Sequence, residues 1–342
     1  MNFAFTEDQL LFRDTVRDFL AGECSPAQLR ETAGGTGRSA ARWQKLVEMG
    51  LTGLTIAEER GGLGLGLVDY VLIAEEAGRA GLPEPLIDQI GIAAPLLGDF
   101  AGRADVAGVL AGIAAGTLKV AVGHPGDPLV ADADEADYLL LGRDGVLHLV
   151  PRERVSLTAE TSVDPLRRIA AVQWTPGPDT RLSGEAGVLD RFLDLGALAA
   201  AAQGLGLAQT MVDLAADYAR MRQQFGKPIG SFQAVKHHLA TVQVAIEFAR
   251  APVYKASFTL RPRDISHARI AVIDAAALAA RTAIQVFGAM GYTYEVDLHF
   301  FMKRAWALAG VWGDRHYHLD RLSRMVLSDD AAIGADGTFL DK

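Results

Sequence analysis

The sequence has a single cysteine, Cys24, so no internal disulfide can form and a cysteine-based metal cluster is excluded. Aromatic residues are scarce at 7%, although half of the 342 residues are apolar. A core of that composition rests on Ala, Leu and Val, which suits packed helices. Positive charge is also short: 33 Lys and Arg face 42 Asp and Glu, for a formal net charge of −9. A nucleic-acid partner needs a basic face to neutralise phosphates, and this chain does not supply one. The N-terminal stretch MNFAFTEDQLLFRD has no basic region followed by an apolar core. No secretory signal is read there, and a cytoplasmic protein is expected. Uninterrupted apolar runs are missing too. The most apolar, Leu195 to Val212, is broken by Gly196, Gln203, Gly204, Gly206 and Gln209. It fits a buried bundle helix better than a membrane span.

What is present reads as helices, then short strands, then helices. Thr6-Glu7-Asp8-Gln9 is a capping box, followed by helical apolar spacing to about Gly22. Further helices are expected at Ala40–Met49, Val68–Ala80, Leu86–Phe100 and Ala104–Ala115. The Gly-rich stretch Glu58 to Gly66 lacks the strand that a dinucleotide-binding loop requires before it. It is read as a connection. From Leu118 the pattern changes to short apolar runs at Val120–Val122, Tyr138–Leu141, Val146–Val150, Val155–Leu157 and Ala170–Trp174. Turn residues such as Asp144-Gly145 separate them. Four or five long helical segments follow, to about Leu327. The expected fold is mainly α with a small antiparallel β domain. Its parts are an N-terminal helical domain (1–117), the β domain (118–182), a C-terminal helical bundle (183–330) and a loose tail (331–342).

Two long helical segments meet at RMRQQFGKPIGSFQAVKHHLA, Arg220 to Ala240. Gly226, Pro228 and Gly230 make the bend. Ser231 is placed to cap the second helix, and Arg220 and Arg222 lie at the C-terminal end of the first, where the helix dipole favours cations. Two histidine pairs, His237-His238 and His316/His318, show no third ligand, so no metal site is assigned. Lys303, Arg304, Arg315, Arg321 and Arg324 read as a solvated basic face.

Arg222, Phe225-Gly226 and Phe232-Gln233 resemble the R-x-x-F-G…F-Q signature of the acyl-CoA dehydrogenase family. Glu58–Gly66 and Gln285–Tyr292 resemble two further stretches of the same family. The resemblance spans nearly the whole chain and implies an FAD-dependent α,β-dehydrogenation of an acyl-CoA thioester. It implies that a carboxylate removes the α-proton while the β-hydrogen leaves as hydride to the flavin. It also implies that Arg222, Phe225, Gln233, Gln285 and Gly288 lie against FAD, the arginine reaching a neighbouring subunit's cofactor. A tetramer and an electron-transfer flavoprotein-type acceptor follow from the same resemblance.

The chain departs from the family pattern at the base. The segment that normally holds the catalytic glutamate reads Val311-Trp312-Gly313-Asp314, and the alternative position on the preceding helix is Gly196. Asp194 lies near the latter but on another side of the helix. The β-domain segment expected to cradle the flavin is replaced by Gly123 to Pro128. Three readings follow: a subunit of a heteromeric enzyme whose partner supplies the glutamate and the main FAD cradle; a homo-oligomer using Asp314 as base; or a non-enzymatic scaffold of the same fold.

Overall fold

The computed structural model describes residues 4–35 and 38–328, so the expected tail at 331–342 lies outside the described residues. The N-terminal part comprises α1 (Glu7–Glu23), α2 (Pro26–Gly34), α3 (Ala40–Glu48) and α4 (Leu67–Ala80). An apolar stretch of α5 (Leu86–Asp88), a π turn at Gln89–Ala93 and α6 (Ala94–Gly98) follows, then α7 (Ala104–Ala114). The capping box forms as read, with the Gln9 side chain accepting from Thr6 N at 2.9 Å and Thr6 Oγ1 accepting from Gln9 N at 3.2 Å. Helix α2 was not expected. Its signal is nevertheless in Ser25-Pro26-Ala27-Gln28, where proline opens the first turn and Gln28 accepts from Ser25 N at 2.9 Å.

Seven strands make the β domain: β1 (Val120–Gly123), β2 (Leu129–Ala131), β3 (Tyr138–Arg143), β4 (Val146–Pro151), β5 (Ser156–Glu160), β6 (Ile169–Gln173) and β7 (Arg181–Ser183). They form two sheets, ordered β1-β3-β4-β7 and β2-β6-β5. Leu139, Leu141 and Val150 of the first pack with Val130, Ala170 and Val172 of the second in a small separate core. One detail departs from the antiparallel expectation: β1 and β3 run parallel, Val120 opposite Tyr138.

The C-terminal bundle is α8 (Val188–Met221), α9 (Gln233–Thr259), α10 (Pro262–Phe287), α11 (Leu298–Ala309) and α12 (Arg315–Val326). The 34-residue α8 is its axis, packed by α4, α9, α10 and α11. Glycine permits the tightest crossing. A Cβ at Gly78 of α4 would overlap the Gln203 backbone, and one at Gly206 of α8 would overlap the Glu75 backbone. The two helices therefore meet backbone to backbone. Ser231 does not cap α9: residues Ile229–Ser231 form a 3-10 turn, and Phe232 stands at the N-cap without a side-chain cap.

The basic face is also different from the expectation. Arg304 is buried and ion-paired with Asp164, and Arg321 pairs with Asp194, Nη2 to Oδ2 at 3.1 Å. Arg315 and Arg324 remain exposed. Arg304 and the buried Arg42–Glu84 pair (2.9 Å) tie the N-terminal helices, the β domain and α11 together. Removing one partner of such a buried pair typically costs about 3–5 kcal/mol, because the other charge is stranded.

Candidate functional site

The expected site residues fall at two places far apart on α8. At its C-terminal end, Arg222 terminates the helix, its N–H donating to Tyr218 O at 2.8 Å. The chain then turns through a two-stranded hairpin, β8 (Gln223–Gln224) and β9 (Lys227–Pro228). Its two corner residues, Phe225 (φ +55°) and Gly226 (φ +76°), both lie in the left-handed region. That is the backbone a tight hairpin needs, and it is costly for a side chain as large as phenylalanine. Phe225 is 90% exposed, edge-on to Phe232 with centroids 6.1 Å apart. Lys227 Nζ lies 4.4 Å over the Phe232 ring. The Arg222 guanidinium is exposed and has no partner among the described residues. Gln233 opens α9 and is exposed as well.

Stacking of Tyr218 on Phe287, centroids 4.4 Å apart, brings the end of α10 to this same end of the bundle. Gln285 is exposed there, and Gly288 takes φ +62° and ψ −138°, a conformation open to glycine alone. The structure thus collects Arg222, Phe225, Gln233, Gln285 and Gly288 at one end. Arg222 and the exposed glutamine amides are free to contact something outside the chain.

Asp314 is elsewhere. It is the exposed N-cap of α12, its Oδ1 accepting from Tyr317 N at 2.8 Å. Immediately before it, Trp312 is buried against α8, where a Cβ on Gly196 would overlap the indole. The two positions at which a base was sought, Gly196 and the 311–314 loop, therefore do meet, and an indole fills the space between them. Gly196 to Arg222 spans about 39 Å of helix at a rise of ~1.5 Å per residue. The hairpin and this loop therefore lie toward opposite ends of one helix.

Trp312 is held on every side. Phe192 packs at 5.2 Å and His124 at 5.7 Å between ring centroids. The Trp312 backbone sits at φ +55° and its carbonyl accepts from His318 Nε2 at 2.9 Å. His318 is buried, its Nδ1 3.2 Å from Ser266 Oγ, and burial pulls its pKa down to about 4. It is a clamp on the loop. Arg269, buried beneath, donates to Val311 O at 2.9 Å and also to Leu308 O. Burial lowers its pKa to about 10. Burial raises the Asp194 carboxyl above its ordinary value, and Arg321 opposes the shift as its ion-pair partner.

The β domain closes the same space from its side. His124 follows β1 and meets the indole. A Cβ at Gly142 of β3 would crowd Pro125 Cγ (2.8 Å) and Leu189 Cδ2 (2.9 Å), so the β1–β2 turn and the start of α8 both press on Gly142. A flat ring system between His124 and Trp312 would need roughly 7 Å, two van der Waals contact distances, where 5.7 Å is available. This plug of Trp312, His124 and Phe192 was not expected from the sequence. The Trp-Gly pair in place of a carboxylate at 312–313 was its only local signal.

Two sequence profiles match the chain: "Acyl-CoA dehydrogenase, N-terminal domain" over residues 6–117 and "Acyl-CoA dehydrogenase, C-terminal domain" over residues 186–327. Acyl-CoA dehydrogenase IpdE2 of Mycobacterium tuberculosis is 34% identical over 304 residues, 87% of this chain and 91% of that protein. IpdE2 of Mycolicibacterium smegmatis is 32% identical over 324 residues, 94% of this chain and 99% of its own length. In fold, the chain resembles a chain of the ChsE4-ChsE5 complex from Mycobacterium tuberculosis. The TM-score is 0.87 at 22% identity, covering 97% of this chain and 100% of that one. With this architecture and these relatives, the chain belongs to the acyl-CoA dehydrogenases, a family of oxidoreductases.

Proposed function

We propose that this chain is the subunit without a catalytic base in a heteromeric acyl-CoA dehydrogenase. It would lend its arginine hairpin to a flavin site that a neighbouring subunit completes with a glutamate. The observation that carries this reading is the indole of Trp312 seated on Gly196. It removes the space where substrate and base would meet in this chain. Asp314 cannot substitute while it caps α12, and its carboxylate is exposed on the helix end.

Family members use FAD, and two regions of this chain bear on it differently. The chain's own cleft does not fit the group, because His124 lies against Trp312, and Pro125 and Leu189 crowd Gly142, where a flavin cradle is expected. The other end of the bundle fits. A guanidinium offers a rigid fork of donors suited to a pyrophosphate, and Arg222 presents one without an internal partner. Phe225 would cover the cofactor with an apolar face, and Gln233 and Gln285 would offer amide hydrogen bonds. Gly288 would admit a close backbone approach. When bound, FAD would supply the hydride-accepting chemistry. This chain's residues would hold it and would take no proton.

Exposed apolar side chains near this end and along α9 support a covering neighbour. Met221 is 73% exposed, Phe248 77% and Tyr292 80%. The name of the ChsE4-ChsE5 complex is that of a two-component assembly of the same fold.

The test is co-expression with a glutamate-bearing dehydrogenase chain. Alone, the protein is expected to be colourless; in the complex, yellow and active on an acyl-CoA. Arg222→Gln should leave the complex assembled and weaken flavin retention about 10- to 100-fold, the loss of one or two charge-assisted hydrogen bonds. A yellow, active protein purified alone would overturn the proposal.

A further inference from the structure

Between the helical domains and the β domain lies a cavity of about 60 Å³. That is room for a few waters or for one carboxylate group. Trp312 forms one wall, and the α4–α5 connection, α8 and α11 form others. Three ion pairs in and around the wall satisfy one another: Arg38–Asp132, Arg42–Glu84 and Arg304–Asp164. Four polar groups on the lining remain. Asp88, Arg167 and Gln203 line the cavity, with Asp88 and Arg167 facing each other as opposite charges. Arg304 is only 6% exposed, and its Nη2 is buried without an acceptor. A stranded guanidinium donor in such a place is costly, and an oxyanion is the ligand that relieves it.

We propose that this cavity binds a small carboxylate, held by Arg167 and the Nη2 of Arg304 and oriented by the Gln203 amide. The site is separate from the hairpin at the far end of α8, and its failure would leave the reading of that hairpin untouched.

Charge balance gives the site a pH dependence. The three ion pairs cancel, leaving Arg167 opposite Asp88. Burial pushes Asp88 up to about 6, with Arg167 and Arg304 opposing and Asp132 reinforcing the shift. Burial lowers Arg167, with Asp88 opposing. The remaining charges around the cavity, Arg38, Glu84 and Asp164, sit in their pairs. A neutral Asp88 can donate to the incoming carboxylate, whereas an ionised one repels it.

The test is thermal melting of the full chain in sodium acetate, against sodium chloride and acetamide at matched concentration. Acetate is expected to raise the melting temperature saturably at pH 5.5, with roughly 20-fold weaker apparent affinity at pH 7.5. Chloride and acetamide should not reproduce it. Arg167→Gln should weaken the response at least about tenfold; because it also removes the charge opposite Asp88, far-UV circular dichroism of the variant establishes that it is folded. Asp88→Asn should abolish the difference between the two pH values. A cavity that holds only water gives no saturable acetate response at either pH, and that result overturns the proposal. So does an undiminished response in Arg167→Gln.

Discussion

Replacing Gly196 by alanine tests whether the catalytic space of this chain is filled. In an ordinary helix interior, Gly→Ala stabilises by about 1 kcal/mol. At Gly196 the added methyl would overlap the Trp312 indole. The indole has no easy retreat: Phe192 and His124 bracket it at 5.2 and 5.7 Å, and His318 holds its carbonyl at 2.9 Å. Overpacking of this kind costs about 1–3 kcal/mol, and the overlap here argues for the upper end. Gly196→Ala should therefore destabilise the protein by about 2 kcal/mol net of the helix gain. Trp312→Ala alone should cost about 3–5 kcal/mol. In that background the methyl has space, and Gly196→Ala should stabilise by about 1 kcal/mol. The sign reversal corresponds to a coupling of about 3 kcal/mol in a double-mutant cycle. Urea unfolding of the four proteins, followed by far-UV circular dichroism because the indole is itself altered, gives the cycle. If Gly196→Ala stabilises both backgrounds equally, the indole is not seated on α8 and the argument for a closed cleft fails.

Two further predictions concern the same loop. Asp314→Asn keeps an N-cap acceptor, so turnover of the assembled complex should be unchanged, whereas Asp314→Ala should cost about 1 kcal/mol of stability; a collapse of turnover in the Asn variant would make Asp314 the base after all. His318 has its pKa lowered to about 4 by burial, against about 6.5 in an unfolded chain. Between those values the unfolded state binds more protons, so stability is full above pH 6.5 and falls as pH drops toward 4, by about 3 kcal/mol. Unfolding at pH 7 and pH 4.5 should show that slope in the wild type and a shallower one in His318→Gln; equal slopes would mean that the imidazole does not clamp the loop.

How far the sequence could be read depended on how local each signal was. Helical spacing and the Thr6 capping box placed α1, α4 and the long bundle helices, because those signals lie within one element. The three-residue strands β2 and β7 were missed. They are strands only because β6 and β4 lie beside them. Ser231 had the right chemistry for a cap, but the chain spends it inside a 3-10 turn and starts α9 two residues later. Arg304 looked solvated because its partner Asp164 is 140 residues away in sequence. The hairpin residues were legible as a motif, and their common location follows from two contacts, Arg222 to Tyr218 and Tyr218 to Phe287. The absence of a glutamate at both base positions could be read directly. That Trp312 fills the resulting space could not, since it depends on α8, α12 and the β1–β2 turn meeting.

That filling bears on whether the missing base is a single substitution away. At Gly196 a glutamate would have to displace the indole. Gly313 has φ +89°, and a Cβ there would collide with Tyr317 and His318, so any side chain is both strained and blocked. At position 314 a glutamate would sit at an exposed helix cap, outside the packed space between α8 and the β domain. No single replacement at these positions restores a buried carboxylate. The change would need the indole, its His318 clamp and the His124 contact to be rebuilt together. The hairpin requires no such rebuilding: Arg222 is already exposed, about 39 Å along the helix from the blocked cleft. With the indole seated on Gly196 and Arg222 exposed at the other end of α8, a guanidinium without a partner among the described residues is directed outward. If the hairpin serves a neighbour's flavin, as proposed, the base belongs to that neighbour, because α8 holds Arg222 about 39 Å from the space that the indole fills.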